Sequence, residues 1–218
     1  FVLLKPSSEE QPGWDSPWGR GRPGWHIECS AMIKKHLGET IDIHGGGSDL
    51  TFPHHENEAA QSRCANQTSD YVRYWLHNGM LTMGSEKMSK SVGNVLTIHG
   101  LAQQHSGEVL RYALLSGQYR SSLSWSDELL SQARASLDSL YQCLRDNPGD
   151  APLTSDDFAS GTAADDPQSV VEALADDLNT PQALAALHEL ANHLRKATDA
   201  QSIASARAQL LTGGWLLG

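Results

Sequence analysis

The sequence predicts an α/β fold, the second half of a parallel nucleotide-binding sheet, followed by a region of α-helices. Short apolar segments alternate with amphipathic helical patterns up to residue 124; strands are expected at 1–4, 41–44 and 74–83, and helices at 26–37, 53–66 and 97–115. From residue 125 onward the pattern is helical. Such alternation is typical of parallel sheets whose strands are joined by helices. We therefore expect two domains, 1–124 and 125–218.

The second region is predicted to be a helical bundle. A long helix opens at Ser126-Asp127, and its apolar positions follow helical spacing at Leu129, Leu130, Ala133, Leu137, Leu140 and Leu144. The segment 147–167 is rich in Pro, Gly, Asp, Ser and Ala, which predicts a flexible acidic linker. Further helices are expected at 168–176, 181–198 and 201–212, with Thr180-Pro181 as a clear helix start.

Composition excludes two classes of protein and leaves a nucleic-acid partner possible. The three cysteines have no paired spacing, so no disulfide framework is expected. No apolar run approaches the roughly 18 residues that a membrane helix needs. The formal net charge is -10, but residues 150–177 hold eight acidic residues and no Lys or Arg. The rest of the chain has 16 basic and 18 acidic residues, so its surface can still offer local basic patches.

The segment IDIHGGGSDLTFPHHENE, at 41–58, concentrates groups that bind nucleotides and metals. Glycines after a strand allow close approach of backbone to a nucleotide, and Asp49 beside them can bind ribose hydroxyls. Pro53 suits the first turn of a helix, which would place His54 and Glu58 on one helical face at i and i+4. An imidazole and a carboxylate at that spacing can share one metal ion.

Cys29 is the best third ligand candidate, and a Cys, His and Glu set favours zinc over calcium or magnesium. Cys64 and Cys143 are weaker candidates. Cys64 follows His54 by ten residues, about 280° around a helix, so it should face elsewhere. Singly, a cysteine is more often a buried apolar residue, and a His-x3-Glu pair more often a helix surface pair. The combination beside a glycine-rich turn favours the metal site.

The string KMSKS, within Glu86–Asn94, follows the apolar stretch 79–83. Lys87 and Lys90, with hydroxyl residues between them and a glycine after them, predict a mobile cationic loop. Such a loop can stabilise a triphosphate as negative charge moves toward pyrophosphate. A Lys- and Ser-rich turn alone usually indicates solvated surface, but its position after a predicted strand favours the catalytic role.

The chain resembles the cysteinyl-tRNA synthetases, members of the class I aminoacyl-tRNA synthetases. The resemblance lies in KMSKS and in the stretches GRPGWHIECSAM (21–32), DIHGGGSDLTFPHHENEAAQS (42–62) and EKMSKSVGN (86–94). It continues to Asp176–Pro181 and covers nearly the whole chain. It implies the second half of a Rossmann-like class I catalytic domain followed by stem and tRNA-contacting helices.

The resemblance also implies roles for individual residues. Cys29, His54 and Glu58 match three of four zinc ligands, and the fourth has no counterpart here. Asp49 with Gly47 matches the ribose-binding pair, and Lys87 and Lys90 match the signature lysines. Trp25 and His44 match residues that line the amino-acid pocket. One zinc per chain would bind the thiol of the substrate cysteine and so exclude serine.

The function implied is ATP-dependent formation of cysteinyl-adenylate, with Mg²⁺, and transfer of cysteine to tRNA(Cys) by a cytoplasmic monomer. The family's first signature, HIGH, is missing, so we expect an internal piece of a longer protein that is inactive alone. Two alternatives stay open. One is the mycothiol-pathway ligase that joins cysteine to glucosaminyl-inositol, although Glu58 favours the synthetase; the other is a non-catalytic synthetase-like protein that binds tRNA or proteins.

Overall fold

The computed structural model describes residues 2–84, 86–87, 96–149 and 167–218, with only the backbone at 86–87. The chain forms two compact units, Phe1–Gly79 and Met80–Gly218. This division lies earlier than the predicted domain boundary at 124/125, which rests on secondary-structure type and stays a prediction. Among the described residues, none of the helices has both the length and the apolar character that crossing a bilayer requires.

The first unit combines an antiparallel hairpin with a parallel β-α-β arrangement. Strands β1 (Leu4–Pro6) and β2 (Gly21–Pro23) pair antiparallel, and helix α1 (Trp25–His36) follows. Strand β3 (Ile41–Gly47) leads through the turn Ser48–Leu50 and a kinked helical turn at Thr51–His55 into helix α2 (Glu56–Asn66). Strand β4 (Val72–Asn78) then returns parallel to β3.

The register of β3 and β4 fixes which side chains share a face. His44 lies opposite Trp75, and Gly46 lies opposite His77. Because side chains alternate along a strand, His44 and Gly46 share one face, as do Trp75 and His77. This places aromatic and imidazole groups of both strands on the same side of the sheet, beside the histidines that precede α2.

The second unit begins with a small mixed sheet. Strand β5 (Leu81–Met83) pairs antiparallel with β6 (Glu86–Lys87) and parallel with β7 (Leu123–Ser124). Helices α3 (Ile98–Ala102) and α4 (Gly107–Leu115) lie between β6 and β7 in sequence. The remaining helices are α5 (Asp127–Asp146), α6 (Gln168–Ala175), α7 (Thr180–Lys196) and α8 (Ala200–Leu217).

The helices begin where their sequences provide caps. Ser106, Ser126, Asn179 and Asp199 each accept a hydrogen bond from the backbone N–H three residues later. The larger apolar core of this unit joins α5, α6, α7 and α8, and its fully buried members include Val170, Ala183 and Leu194. A second cluster packs α4 against Trp125 and the start of α5.

The strands and helices of the first unit and of the start of the second confirm the predicted α/β class, and the helices from Asp127 onward confirm the predicted helical region. Several predicted elements have different limits. The strand expected at 1–4 is β1 at Leu4–Pro6, and regular helix in the segment expected at 53–66 begins only at Glu56. The helix expected at 97–115 is two helices, because Ser106 caps a new one. The strand expected at 74–83 is interrupted at Gly79-Met80, and the last helix extends to Leu217. The linker predicted at 147–167 falls almost entirely outside the described residues.

Candidate functional site

The first unit gathers the three proposed metal ligands at one point. Cys29 comes from α1, His54 from the kinked turn and Glu58 from the first turn of α2. One donor atom of each lies within 4.8 Å of those of the other two. Glu58 is fully buried and His54 nearly so, while Cys29 is half-buried.

The kink before α2 does not disrupt the predicted pairing of His54 with Glu58. Phe52 is extended, with φ -138° and ψ 135°, so regular helix begins only at Glu56. Even so, Nε2 of His54 lies 2.5 Å from Oε1 of Glu58. The other ring nitrogen, Nδ1, shares a hydrogen bond of 2.7 Å with Nδ1 of His26. The His54 ring is thereby held with Nε2 toward the carboxylate.

Glu58 is the central group of the site, because its carboxylate is buried without full compensation. Oε1 lies against Nε2 of His54 and has no other hydrogen-bonding partner. Oε2 accepts a hydrogen bond of 3.2 Å from the hydroxyl of Tyr71 and lies 3.6 Å from Nε2 of His44. Burial raises the pKa of Glu58, and hydrogen bonds from Tyr71 and Cys29 offset part of that rise.

The surrounding protonation states favour cation binding. Burial lowers the pKa of His54, as do the neighbouring imidazoles of His26 and His44, so the ring stays neutral and able to donate a lone pair. Burial and the Glu58 charge raise the pKa of the Cys29 thiol. A metal ion would displace that proton, because thiolate is the ligand form.

The donor set therefore fits zinc. A buried carboxylate oxygen lies 2.5 Å from an imidazole nitrogen and has no other hydrogen-bonding partner, and a thiol lies within ligand range of both residues. Sulfur, nitrogen and a single carboxylate suit zinc rather than magnesium or calcium. That these residues bind a metal stays a prediction.

Trp25 and His44, expected to line the amino-acid pocket, both contact this cluster. The Trp25 ring centroid lies 4.3 Å from that of His54, and the indole remains 59% exposed. The His44 ring lies 4.5 Å from that of His55 and 5.0 Å from that of Trp75. An exposed indole beside a buried polar cluster suits a pocket wall, and this role stays a prediction.

Sequence reasoning missed five residues of the cluster: His26, His55, Tyr71, Trp75 and His77. His55, Glu58 and His44 form a second group of three closely spaced donors. Nδ1 of His55 lies 2.8 Å from Nε2 of His77, and burial, with nearby imidazoles, lowers the pKa of His55 to about 4. The spacing of Trp75 and His77, two residues apart along β4, indicates that their side chains share a face of the strand. That face could be assigned to the site only with knowledge that β4 pairs with β3.

Gly46 is required by the close approach of the kinked turn to the sheet. A Cβ atom at this position would lie 3.0 Å from Cε1 of His55 and 3.1 Å from Cδ1 of Leu50. A side chain here would push the histidines away from the face of β3. One of the three glycines of the motif therefore serves the packing of the cluster.

The predicted nucleotide-binding residues occupy different elements. Gly47 ends β3, and Asp49 lies in the turn at the carboxyl end of that strand. Ligands of open α/β sheets bind at the carboxyl ends of strands. Lys87 lies in β6, where its backbone pairs with Thr82 of β5 in the second unit. Lys90 and most of the predicted mobile loop lie outside the described residues.

Comparisons with known proteins identify two domain families. Residues 1–135 match the family described as tRNA synthetases class I (C) catalytic domain, and residues 169–218 match the DALR domain. Over all 218 residues the chain is 60% identical to a cysteine–tRNA ligase of Parvibaculum lavamentivorans and 54% identical to one of Maricaulis maris. In both cases it covers 45% of the relative, so it spans about half the length of the curated relatives it matches.

A solved structure shares the fold. The Agrobacterium radiobacter K84 LeuRS, in a ternary complex with tRNA and LeuAMS, matches with a TM-score of 0.62 at 16% identity, covering 94% of this chain and 31% of that chain. Because the catalytic family extends over more than half of the residues, the chain belongs to the class I (C) tRNA synthetases, with a DALR domain after the catalytic region.

Proposed function

We propose that this chain is part of a cysteine–tRNA ligase, which activates cysteine with ATP and transfers it to tRNA(Cys). The observation that carries the proposal is the convergence of Cys29, His54 and Glu58 within 4.8 Å of one another. A thiolate, imidazole and carboxylate set is the chemistry needed to recognise a thiol substrate through zinc. The names of relatives with 54–60% identity support the same function.

In this proposal the first unit provides amino-acid recognition. Cys29, His54 and Glu58 would hold one zinc ion, with a fourth ligand from elsewhere in the full-length protein. When bound, zinc supplies a soft Lewis acid that takes the substrate thiol as thiolate, which the hydroxyl of serine does not match. Trp25 and His44 would border the bound amino acid and limit its access to water.

The remaining predicted residues would bind ATP and promote its reaction. The cysteine carboxylate attacks the α-phosphorus of ATP, the bond to the β-phosphate oxygen breaks, and pyrophosphate leaves with Mg²⁺. Asp49 and Gly47 would bind the ribose at the carboxyl end of β3. Lys87 and Lys90 would stabilise charge on the departing pyrophosphate. The adenylate then transfers its cysteine to the terminal adenosine of tRNA, and AMP is released.

The helical region would contribute to tRNA binding. Its DALR match and the near-neutral charge of the chain outside 150–177 are compatible with a nucleic-acid partner. We propose that the full-length protein acts as a monomer in the cytoplasm, where thiols such as that of Cys29 stay reduced.

The test is acceptor choice by the full-length protein. It should charge tRNA(Cys) with cysteine, reject serine, and fail to join cysteine to glucosaminyl-inositol. Labelled pyrophosphate exchange into ATP alone does not discriminate, because the amino-sugar ligase also forms cysteinyl-adenylate. Transfer to the amino sugar without tRNA charging would refute the ligase assignment, and tRNA binding without adenylate formation would indicate a non-catalytic relative.

The role of Lys90 is tested by Lys90→Ala in the full-length protein. If its ammonium stabilises the transition state, the rate constant of adenylate formation should fall by roughly 100-fold or more while cysteine affinity changes little. Pre-steady-state adenylate formation and equilibrium cysteine binding provide the two measurements. Equal losses in both would show that Lys90 has a structural role.

A further inference from the structure

Tyr71 has no assigned role, yet its hydroxyl lies against the proposed metal ligand Glu58. We propose that Tyr71 is a positioning residue of this centre, which holds one carboxylate oxygen of Glu58 so that the other faces His54. The inference rests on the proposed zinc site. It concerns a residue that neither binds the metal nor contacts the substrate.

Tyr71 is itself firmly held. It immediately precedes β4, and its carbonyl accepts a hydrogen bond of 3.0 Å from the backbone N–H of Ile41 at the start of β3. The residue is only 1% exposed, and its ring packs near those of His44 and Trp75, with centroids 6.1 Å apart in each case. A phenol fixed at both backbone and ring can orient a neighbour with little loss of side-chain entropy.

The hydroxyl of Tyr71 reaches across to α2. It donates to Oε2 of Glu58 over 3.2 Å and is also hydrogen-bonded to Ser62, one helical turn later. Both Glu58 and Ser62 are buried. Tyr71 therefore connects the sheet to the helix that presents the carboxylate, and the two hydrogen bonds fix the direction of its O–H group.

The two oxygens of Glu58 are consequently different. Oε2 receives the hydrogen bond from Tyr71, whereas Oε1 lies 2.5 Å from Nε2 of His54 and has no other hydrogen-bonding partner. A ligand carboxylate that is hydrogen-bonded through its second oxygen keeps its orientation as the metal arrives, and such outer contacts typically change metal affinity by about 10–100-fold. This asymmetry is the specific evidence for positioning.

The experiment compares Tyr71→Phe with Tyr74→Phe in the full-length protein. Both substitutions remove one hydroxyl, but Tyr74 lies three residues further along the chain and is 71% exposed. Competition with a chromophoric chelator measures Zn²⁺ affinity, and Co²⁺ substitution reports ligand geometry through its visible absorption bands. We expect Tyr71→Phe to weaken Zn²⁺ binding by about 10–100-fold and to alter the Co²⁺ spectrum, with Tyr74→Phe unchanged.

Ser62→Ala should have an intermediate effect, because it leaves the hydrogen bond from Tyr71 to Glu58 in place. We expect it to weaken Zn²⁺ binding less than Tyr71→Phe does. Wild-type affinity and spectrum in Tyr71→Phe would overturn the positioning role, even if the melting temperature of the metal-free protein falls. Failure of the wild-type protein itself to bind Zn²⁺ or Co²⁺ stoichiometrically would refute the metal centre and, with it, this inference.

Discussion

Glu58 in the first unit and Asp177 in the second are two carboxylates in opposite situations. Glu58 is fully buried, and Oε1 has no hydrogen-bonding partner besides Nε2 of His54. The side chain of Asp177 is 48% exposed, yet Arg120 donates to both of its oxygens, over 2.7 and 2.8 Å, and Tyr119 donates over 2.9 Å. Burial raises the pKa of Glu58, whereas the hydrogen bonds from Arg120 and Tyr119 lower that of Asp177 to about 2.

The difference separates a binding group from a structural one. An exposed carboxylate whose two oxygens both accept hydrogen bonds needs no further ligand. In Asp177 these hydrogen bonds instead stabilise the local backbone conformation. Asp177 and Leu178 both have positive φ, at 53° and 52°, a conformation that non-glycine residues seldom adopt. A buried carboxylate oxygen whose close polar partner is one neutral imidazole is poorly compensated unless another group also binds it. In Glu58 we infer that the group is a metal ion.

The largest effect is expected from Glu58→Gln. The amide keeps the size of the side chain but removes the negative charge, so Zn²⁺ affinity should fall by at least about 100-fold, beyond the range for outer contacts. Zn²⁺ should raise the melting temperature of the wild-type protein and not that of the variant. Thermal unfolding with and without Zn²⁺ measures both effects.

Glu56→Gln is the matched control for this change, because Glu56 is an exposed glutamate in the same helical turn. Its zinc-dependent stabilisation should equal that of the wild-type protein. If Glu58→Gln binds Zn²⁺ normally, the buried carboxylate is not a ligand, and the contrast with Asp177 loses its functional meaning.

An effect confined to stability is expected from Leu194→Ala in the second unit. Leu194 is fully buried in the bundle core, so its truncation should reduce the free energy of unfolding by about 2–5 kcal/mol. Urea unfolding checks this value, with Leu114→Ala, at an exposed position, as a control expected within about 0.5 kcal/mol. Zn²⁺ affinity should not change, and a parallel loss of zinc binding would contradict the separation of roles.

The smallest effect is expected from Asp177→Asn, and it should depend on pH. Because the folded-state pKa of Asp177 lies below its ordinary value of 3.8, the carboxylate stabilises the fold above about pH 4. That contribution disappears as pH falls toward about 2. The melting temperature of the variant should therefore be slightly lower than that of the wild-type protein at neutral pH, and the gap should narrow on acidification.

The neighbouring exposed Asp176 provides the control for this measurement. Asp176→Asn should show no such narrowing. If the difference in melting temperature between the wild-type protein and Asp177→Asn stays constant down to about pH 2, the Arg120 contact contributes no charge-dependent stability.

The sequence predicted the α/β class and the helical region because periodicity and caps are local signals. Cys29, His54 and Glu58 were selected by chemistry and helical spacing, and the structure brings their donor atoms together. Tyr71, His55 and His77 were not selected, since their proximity arises from the parallel pairing of β3 with β4. Long-range register is not encoded in a short window of sequence. The start of a new helix after Ser106, by contrast, could have been predicted from the sequence, because serine is a favoured N-cap residue.

The pairing of β3 with β4 makes the site sensitive to the length of a turn that contains none of the proposed ligands. Residues 67–71 join α2 to β4, and Ile41 pairs with Val72 at the start of the ladder. An insertion of one residue in this turn could shift the pairing register of β4 by one position. Such a shift would turn Trp75 and His77 to the opposite face of the sheet. Such an insertion would leave every proposed ligand in the chain and yet remove the wall against which the histidines pack. Tolerance to insertions in this turn thus measures how much of substrate choice depends on backbone register.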